Sequence, residues 1–329
     1  MLFRSVRAFF ERLPLIIFPT YRNIRNCIKE SDFVLIRVPS PIGGLVCAEA
    51  RRQDVPYGVY VAGDIRSVAT RGEKYSGITR QIVTCIAEGF HRINKRISRE
   101  TLTFVTGSEL CSVYEPLSYR CIRVIPSVVR SEELHWRTSD TLDNPVELLS
   151  VARLVPVKGL EYLLEAVKRL RSEGYDVRLT IVGDGPLRQK LEQRVCCLEI
   201  DQYVAFEGHI PFGSELLDRY RSADVFVQPS LSEGVPKTIT EAMASSLPVV
   251  ATDVGGVSDI ISHKNTGILI QPQSSKEIAT GIKRILDAPD LRERIATNGY
   301  ELANQHTVEK QATMMVNEMT AFICENRNK

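Results

Sequence analysis

The sequence predicts an α/β protein made of two doubly wound domains with parallel sheets. From Pro145 onward, short β-branched runs alternate with segments of helical periodicity, which is typical of parallel sheets covered by helices. The same alternation recurs less regularly before Arg130, and a polar stretch bounded by Pro126 and Pro145 separates the halves. The 329 residues, 43% of them hydrophobic, suffice for two hydrophobic cores.

The second half carries the clearer pattern. Between its first two strands, one helical face collects apolar side chains, namely Leu160, Leu163, Leu164, Val167 and Leu170. This order of elements predicts a Rossmann-like domain. The predicted strands are Val146–Val151, Val177–Val182, Tyr203–Phe206, Val225–Gln228, Pro248–Ala251 and Gly267–Ile270.

The first half repeats the alternation of strands and helices. We assign residues 1–130 to an N-terminal domain, 131–145 to a linker, 146–304 to a C-terminal domain, and 305–329 to a helix that packs back on the first domain. Two such domains would face each other across a cleft at the carboxyl ends of their strands, where open α/β sheets bind ligands. The strands predicted in the first half are Phe33–Arg37, Gly58–Val61, Thr101–Val105 and Cys121–Ile125.

Composition argues against several classes of protein. The eight cysteines form no C-x-x-C pair and have no histidine at ligand spacing, so we predict reduced thiols in a cytosolic protein, with no zinc site and no disulfide framework. No apolar run reaches the roughly 20 residues that a membrane span requires.

Positive charge is concentrated in the first half. Residues 1–130 contain 20 basic and 11 acidic residues, whereas the remainder contains 22 and 29. This asymmetry predicts an anionic partner for the first half, either an acidic membrane surface or a phosphate-bearing acceptor, and no nucleic acid, because no nucleic-acid module is recognisable. Residues 1–18 mix three arginines with apolar side chains, a basic amphipathic helix that lies either on its own domain or in a membrane interface.

The first candidate site is the loop after the strand Val146–Val151. It contains Arg153 and Lys158 and reaches Gly159 directly before a helix. Two cations at the carboxyl end of a strand can hold a pyrophosphate and stabilise charge on a departing phosphate. The alternative is a solvated surface, but the position between strand and helix favours a binding function.

A second candidate is the glycine turn after the strand Val177–Val182. Gly183 and Gly185 permit positive φ and a close approach of backbone to a ligand, while Pro186 suits the first turn of the next helix. A tight turn in which Asp184 acts as a local cap is an equally open interpretation.

The third candidate is the segment Ser230–Ala244, which leads from a strand into a helix. Pro236 presets the start of this helix, and the first amides of a helix are free to bind anions. The amides that we expect to donate to a diphosphate belong to Val235, Lys237 and Thr238.

Two glutamates with seven residues between them, Glu233 and Glu241, belong to the same segment. Carboxylates accept hydrogen bonds from sugar hydroxyls, so we expect Glu233 to reach a donor sugar and Glu241 a ribose diol. The alternatives are a capping role for Glu233 and a surface position for Glu241. The neighbours Ile239, Ala242 and Met243 are not typical of an exposed face, which favours the functional interpretation. The glycines of Thr252–Gly256 add a loop at the same edge, and direct ligand contact by this loop stays open.

These motifs resemble the retaining glycosyltransferases of family 4, which have the GT-B architecture of two facing Rossmann-like domains. The resemblance extends from about Glu147 to Pro272 and includes the R-x4-K-G loop and the E-x7-E segment. It implies catalytic roles for Arg153, Lys158 and Glu233, and no metal or other cofactor. The donor-binding residues that it implies are Arg153, Lys158, Gly183, Gly185, Phe206, Glu233, Gly234, Val235, Pro236, Lys237, Thr238 and Glu241.

Before Pro145 the resemblance is thinner. The family begins with an additional strand and a glycine-rich loop, so we expect a first domain that is shortened at its N-terminus. Many members also carry a histidine near the donor sugar, where this chain has Val61–Asp64.

The resemblance implies a metal-independent hexosyltransferase that retains the anomeric configuration. The expected donor is a UDP-sugar, with GDP-mannose as the alternative, and the acceptor is a glycan or a lipid-linked molecule in polysaccharide or glycoconjugate biosynthesis. We expect a cytoplasmic protein, either free or peripheral on the inner face of the membrane. Two other functions stay open. One is an inactive partner protein that binds a nucleotide sugar. The other is an epimerase or hydrolase, which would need a residue that handles a proton or water, and His209 is the histidine nearest to a strand end.

Overall fold

The chain forms two compact units in a computed structural model that describes residues 21–64, 66, 77–137, 142 and 144–327. The first unit comprises Met1–Val124 and Met314–Lys329, and the second comprises Ile125–Thr313. The division lies earlier than the predicted boundary at Arg130, because Ile125 and Val129 are buried in the core of the second unit. The amphipathic helix predicted for residues 1–18 lies outside the described residues.

The first unit is a parallel sheet of four strands in the order β1-β2-β3-β4. Its strands are β1 Val34–Val38, β2 Tyr57–Val61, β3 Leu102–Thr106 and β4 Arg120–Val124. Its described helices are residues 21–29, Gly43–Arg52, Gly77–Ile97 and Ser108–Tyr114. The final helix, Val308–Arg327, also enters this unit, where Phe322 packs against the rings of Phe33 and Tyr119.

The second unit is a parallel sheet of six strands in the order β10-β9-β8-β5-β6-β7. Its strands are β5 Val146–Val151, β6 Val177–Val182, β7 Val204–Gly208, β8 Val225–Gln228, β9 Val249–Thr252 and β10 Ile268–Ile270. Its helices are Leu160–Ser172, Arg188–Cys197, Ser214–Ser222, Lys237–Ala244, Ser275–Asp287 and Pro289–Gln305. The predicted bounds of β5, β6 and β8 are confirmed. The strand predicted from Tyr203 begins one residue later, because Tyr203 ends the short 3-10 helix Asp201–Tyr203.

Burial explains why the second unit was the easier half to predict. The five apolar residues predicted for one helical face are all buried in its main core cluster. All residues of β8 are buried, β5 is buried in part, and both strands are mainly apolar, as is typical of parallel strands covered by helices. Within the described residues, no helix combines the length and the apolar composition needed to cross a bilayer.

The order of strands reverses between β5 and β8, which lie side by side in the sheet although β6 and β7 come between them in the sequence. Ligands of doubly wound sheets bind at such a switch point, beyond the carboxyl ends of the strands. The loops that follow β5 and β8 are those that carry Arg153, Lys158 and Glu233.

Gly159 fixes the distance between these two loops. Its φ is +62°, and an added Cβ would lie 2.2 Å from the carbonyl oxygen of Pro229. Leu231 continues the contact by donating its amide to the carbonyl oxygen of Val157 at 2.7 Å. The loops after β5 and β8 are therefore joined through backbone at a point where no side chain fits.

We expect Gly159→Ala to lower the free energy of unfolding by about 2–4 kcal/mol, because the methyl group forces the loops apart in addition to the backbone strain. The matched control is Gly174→Ala, since Gly174 has φ +93° but nothing within 4 Å of its added Cβ. That control loses only about 1–2 kcal/mol from strain. Urea unfolding of both variants measures the difference, and equal losses would contradict the close contact.

Candidate functional site

Glu233 joins the loop after β5 to the loop after β8. Its Oε1 accepts hydrogen bonds from Lys158 Nζ at 2.5 Å, Gln228 Nε2 at 2.7 Å and Ser230 Oγ at 2.6 Å. The Lys158 and Glu233 side chains are 18% and 10% exposed. Three donors on one oxygen leave Oε2 without a hydrogen-bond donor from the described part of the chain. Glu233 thus links the two loops through its side chain, which is more than the capping role considered as its alternative.

The same network reaches the helix Lys237–Ala244. Gln228 uses its amide nitrogen on Glu233 and its Oε1 to accept a hydrogen bond from Thr238 Oγ1 at 2.7 Å. Both ends of the Gln228 side chain are therefore fixed. Glu233, Gln228 and Thr238 form a continuous chain of hydrogen bonds from Lys158 to the first turn of the helix.

The helix begins at Lys237, one residue after Pro236, which the sequence placed in its first turn. Pro236 is the N-cap residue, with ψ 126°, and it supplies no side-chain hydrogen bond to the helix. The first amides of a helix have no partner inside it, so those of Lys237 and Thr238 are not used by the helix itself, and their binding to an anion stays a prediction. Pro186 likewise precedes its helix, which starts at Arg188.

The glycine turns bring loop backbones into contact. An added Cβ at Gly183 would lie 1.9 Å from the carbonyl oxygen of Ala152, and one at Gly255 would lie 2.0 Å from that of Glu233. Asp184 Oδ1 also accepts the amide hydrogen of Gly185 at 2.7 Å. The turns after β6 and β9 therefore hold the loops that carry Arg153 and Glu233, and Asp184 has the local role that was left open.

A cavity of about 470 Å³ opens at this edge of the second sheet. It brings together four predicted residues, since Arg153, Gly183, Thr238 and Glu241 all line it. Arg153 is exposed and makes no side-chain ion pair within the described residues. The other residues that line it are Val151, Ala152, Val182, Asp184, His209, Ile210, Phe212 and Leu216.

Glu241 is buried, and its environment supports the functional interpretation of the sequence. It is 6% exposed, and its Oε2 accepts a hydrogen bond from the hydroxyl of the fully buried Tyr220 at 2.8 Å. Burial raises the pKa of Glu241 above its ordinary value, and the Tyr220 hydrogen bond and the charge of Lys237 oppose this only in part. Burial likewise raises the pKa of Tyr220. The chain thus keeps a carboxyl group in a costly position at the cavity wall.

Not every predicted residue reaches the cavity. Lys158 and Glu233 lie outside its lining and connect to it through Thr238. Phe206 is not in the lining either, because its ring packs against the core beneath the guanidinium of Arg188, 5.2 Å away. The loop after β7 supplies His209, Ile210 and Phe212 instead. The sequence prediction missed Ile210 and Phe212, although the turn at Gly208, with φ +78°, marks where that loop begins.

In the first unit, the stretch Val61–Asp64 follows β2. Asp64 forms an ion pair with Arg66 at 2.7 Å. Burial raises the pKa of Asp64, but hydrogen bonds from Arg66 outweigh it and leave the pKa below its ordinary value. Burial also lowers the pKa of His91, a neighbour in the helix Gly77–Ile97. An ionised carboxylate therefore lies at the carboxyl edge of this sheet. Among the described residues, no His, Cys, Asp and Glu side chains cluster as metal ligands would.

The fold of the second unit is that of the doubly wound α/β proteins, a class in which ligands bind at the switch point of the parallel sheet. Residues 133–302, half of the chain, match the family described as glycosyl transferases group 1. The chain belongs to this family, which confirms the predicted resemblance at that level.

Individual relatives agree with this assignment. An uncharacterized glycosyltransferase of Methanocaldococcus jannaschii is 37% identical over 185 residues, which are 55% of this chain and 47% of the relative. The amylovoran biosynthesis glycosyltransferase AmsK of Erwinia amylovora is 32% identical over 171 residues, 50% of this chain and 42% of the relative. The aligned part of the chain thus spans less than half the length of these relatives.

Solved structures show the fold. The Anabaena protein HepE in complex with UDP superposes with a TM-score of 0.73 at 19% identity, covering 92% of this chain and 82% of that protein. The same protein has also been solved with UDP-glucose. The two parallel sheets are therefore the two Rossmann-like units of the GT-B fold, as predicted.

We expect Glu241→Gln to stabilise the free protein relative to the wild type as the pH rises. When the pKa of a carboxyl group is higher in the folded state than its ordinary value of 4.5, the protonated group stabilises the folded protein fully at pH values below 4.5. This stabilisation is lost as the pH rises through the raised pKa. The advantage of the uncharged variant therefore grows from pH 4.5 upward and then levels off. Urea unfolding at a series of pH values measures it. The exposed Glu293, changed to Gln, is the control, and parallel profiles for both variants would show that the burial of Glu241 carries no cost.

Proposed function

We propose that the chain is a glycosyltransferase that takes a sugar from a nucleotide-diphosphate donor and binds this donor in the second-unit cavity. The observation that carries the proposal is that Arg153, Thr238 and Glu241 line one cavity at the switch point of the sheet. The cation and the free amides of the helix start suit a diphosphate, and a buried carboxylate suits the hydroxyls of a ribose. The UDP complexes of the Anabaena relative favour UDP over GDP as the nucleotide.

The chemistry that we propose is electrostatic. The bond between the anomeric carbon and the diphosphate oxygen breaks, and Arg153 with the amides of Lys237 and Thr238 stabilises the charge left on the diphosphate. The acceptor oxygen forms the new bond on the same face, and the departing diphosphate takes the acceptor proton. This step retains the anomeric configuration and requires neither a metal nor a carboxylic acid from the protein.

Lys158 and Glu233 orient the donor in this proposal. The free Oε2 of Glu233 faces no competing donor in the described part of the chain, so it can accept hydrogen bonds from sugar hydroxyls. The ammonium of Lys158 lies 2.5 Å from Glu233 Oε1, holds this carboxylate in place and can share its charge with the diphosphate. The acceptor that we propose is a glycan or lipid-linked molecule in polysaccharide biosynthesis, which the name of the Erwinia relative supports.

We expect Arg153→Ala and Glu241→Ala each to weaken UDP binding by about tenfold or more, since each removes a charge-assisted hydrogen bond to UDP. Lys158→Ala should weaken it less, because Lys158 acts mainly through Glu233. Calorimetric titration with UDP and with GDP measures this. The control is Arg169→Ala, which removes an exposed arginine on the helix Leu160–Ser172 outside the cavity. Unchanged affinity in all three variants would remove the donor site from this cavity.

Turnover separates a transferase from an inactive nucleotide-sugar-binding protein. We expect slow release of UDP from a UDP-sugar, because water can replace the acceptor, and no loss of this release when a chelator removes divalent metals. Release is measured by coupled detection of UDP, with Arg153→Ala as the control that should abolish it. Binding of UDP without any release would favour the inactive binder, whereas inhibition by the chelator would contradict a metal-independent step.

A further inference from the structure

The helix Gly77–Ile97 of the first unit exposes three isoleucines to solvent. Ile82, Ile86 and Ile93 are 55%, 54% and 46% exposed. Their spacing of four and seven residues places them on one helical face. The buried side of the helix contains Ala87 and Ile97 together with the polar residues His91 and Asn94. A helix that buries polar groups and exposes three isoleucines is suited to a second, apolar contact.

The exposed stripe continues onto the neighbouring helix. An added Cβ at Gly44, in the helix Gly43–Arg52, would lie 3.6 Å from Ile93 Cγ2. Beside Gly44 in the chain are Ile42 and Leu45, which are 45% and 41% exposed. On the long helix itself, Gly89 lies between Ile86 and Ile93 and has open space where a Cβ would be. The five apolar side chains, Ile42, Leu45, Ile82, Ile86 and Ile93, form the isoleucine patch.

Among the described residues, the exposed charged side chains beside the isoleucine patch are arginines. Arg96 lies one turn after Ile93 on the same face, and Arg92 lies at the edge of that face; both are exposed and make no ion pair within the described residues. The acidic residue of the neighbouring helix, Glu49, is 3% exposed and accepts hydrogen bonds from Arg52. A patch of apolar tips with arginines at its end is complementary to an interface whose surface is anionic and whose interior is apolar.

We propose that the isoleucine patch docks on an anionic lipid surface, with the isoleucines entering the interface and Arg92 and Arg96 meeting the lipid phosphates. A second copy of the chain is the alternative occupant, but the apolar tips of its patch would offer Arg92 and Arg96 no anionic partner, whereas lipid phosphates would. The inference uses residues outside the second-unit cavity, so it does not depend on the proposed glycosyl transfer.

Flotation of the full chain with vesicles tests this proposal. The chain should float with vesicles of phosphatidylcholine and phosphatidylglycerol, much less with phosphatidylcholine alone, and less as salt is added. The double variant Ile82→Ser/Ile86→Ser should lower the partition coefficient by about tenfold or more. The variant Arg92→Gln/Arg96→Gln should lose about fivefold per arginine on anionic vesicles only. Val316→Ser, at a position that is also 55% exposed, is the matched control and should float like the wild type.

Two results would overturn the proposal: wild type that stays with the unbound fraction, or Ile82→Ser/Ile86→Ser that floats like Val316→Ser. Dimerisation that depends on Ile82 and Ile86, seen by sedimentation equilibrium without lipid, would also overturn it in favour of a second copy. Because all these side chains are exposed, melting temperatures should stay near that of the wild type. If the isoleucine variant fails to fold, the arginine variant and the salt series still decide. The same variants should bind UDP like the wild type, so UDP titration distinguishes a failure of this proposal from a failure of the proposed donor site.

Discussion

The hydrogen bonds that converge on Glu233 Oε1 determine the geometry of the second-unit site. Lys158 comes from the loop after β5, whereas Gln228 and Ser230 come from the end of β8 and the loop that follows it. These two strands are neighbours only because the sheet changes direction between them. One carboxylate oxygen therefore fixes two loops whose residues are far apart in the chain, and through Gln228 it also fixes Thr238. Charge-assisted bonds of this kind are strong where the groups are largely shielded from water.

Backbone contacts at glycines complete this arrangement. Gly159, Gly183 and Gly255 each approach a carbonyl oxygen so closely that no Cβ would fit. The loops are thus packed against one another without side chains between them, and the space beyond stays open as the cavity. Rigid loops at the rim of a binding site lower the entropy lost when a ligand binds. The loop contacts stabilise the folded protein, whereas the burial of the Glu241 carboxyl group lowers the stability of the ligand-free protein.

The sequence predicted the second unit well because its pattern is local. β5, β6 and β8 are short apolar runs between clear turn signals, and the stripe from Leu160 to Leu170 has one period throughout. Motifs at strand ends also predicted that Arg153, Gly183, Thr238 and Glu241 would share an edge. Phe206, by contrast, lies outside the cavity lining. Its role was implied by the family resemblance, and the sequence alone did not show which face of β7 packs on the core.

The hydrogen bonds of Glu233 and the isoleucine patch could not be predicted from periodicity. Glu233 was expected to reach a sugar directly, yet the sequence could not show that Lys158, Gln228 and Ser230 would all donate to one of its oxygens, because that depends on loop conformation. The helix Gly77–Ile97 has a regular apolar stripe, and such a stripe normally indicates the buried face. Here the buried side carries His91 and Asn94 beside Ala87 and Ile97, whereas Ile82, Ile86 and Ile93 are exposed. Only the packing of the unit shows which side of an amphipathic helix meets the core.

Arg153 and Lys158, the two cations at the switch point, differ in whether they must give up an existing ion pair to bind an anion. Arg153 is exposed and has no ion-pair partner within the described residues, so it can turn to a diphosphate without breaking a contact. Lys158 is paired with Glu233, and moving its ammonium fully onto a phosphate would leave a carboxylate that is only 10% exposed without its cation. An unpaired charge at that depth costs several kcal/mol by the usual penalty for breaking a buried pair. Lys158 should therefore contribute mainly by holding Glu233 in place, whereas Arg153 carries most of the direct interaction with the anion.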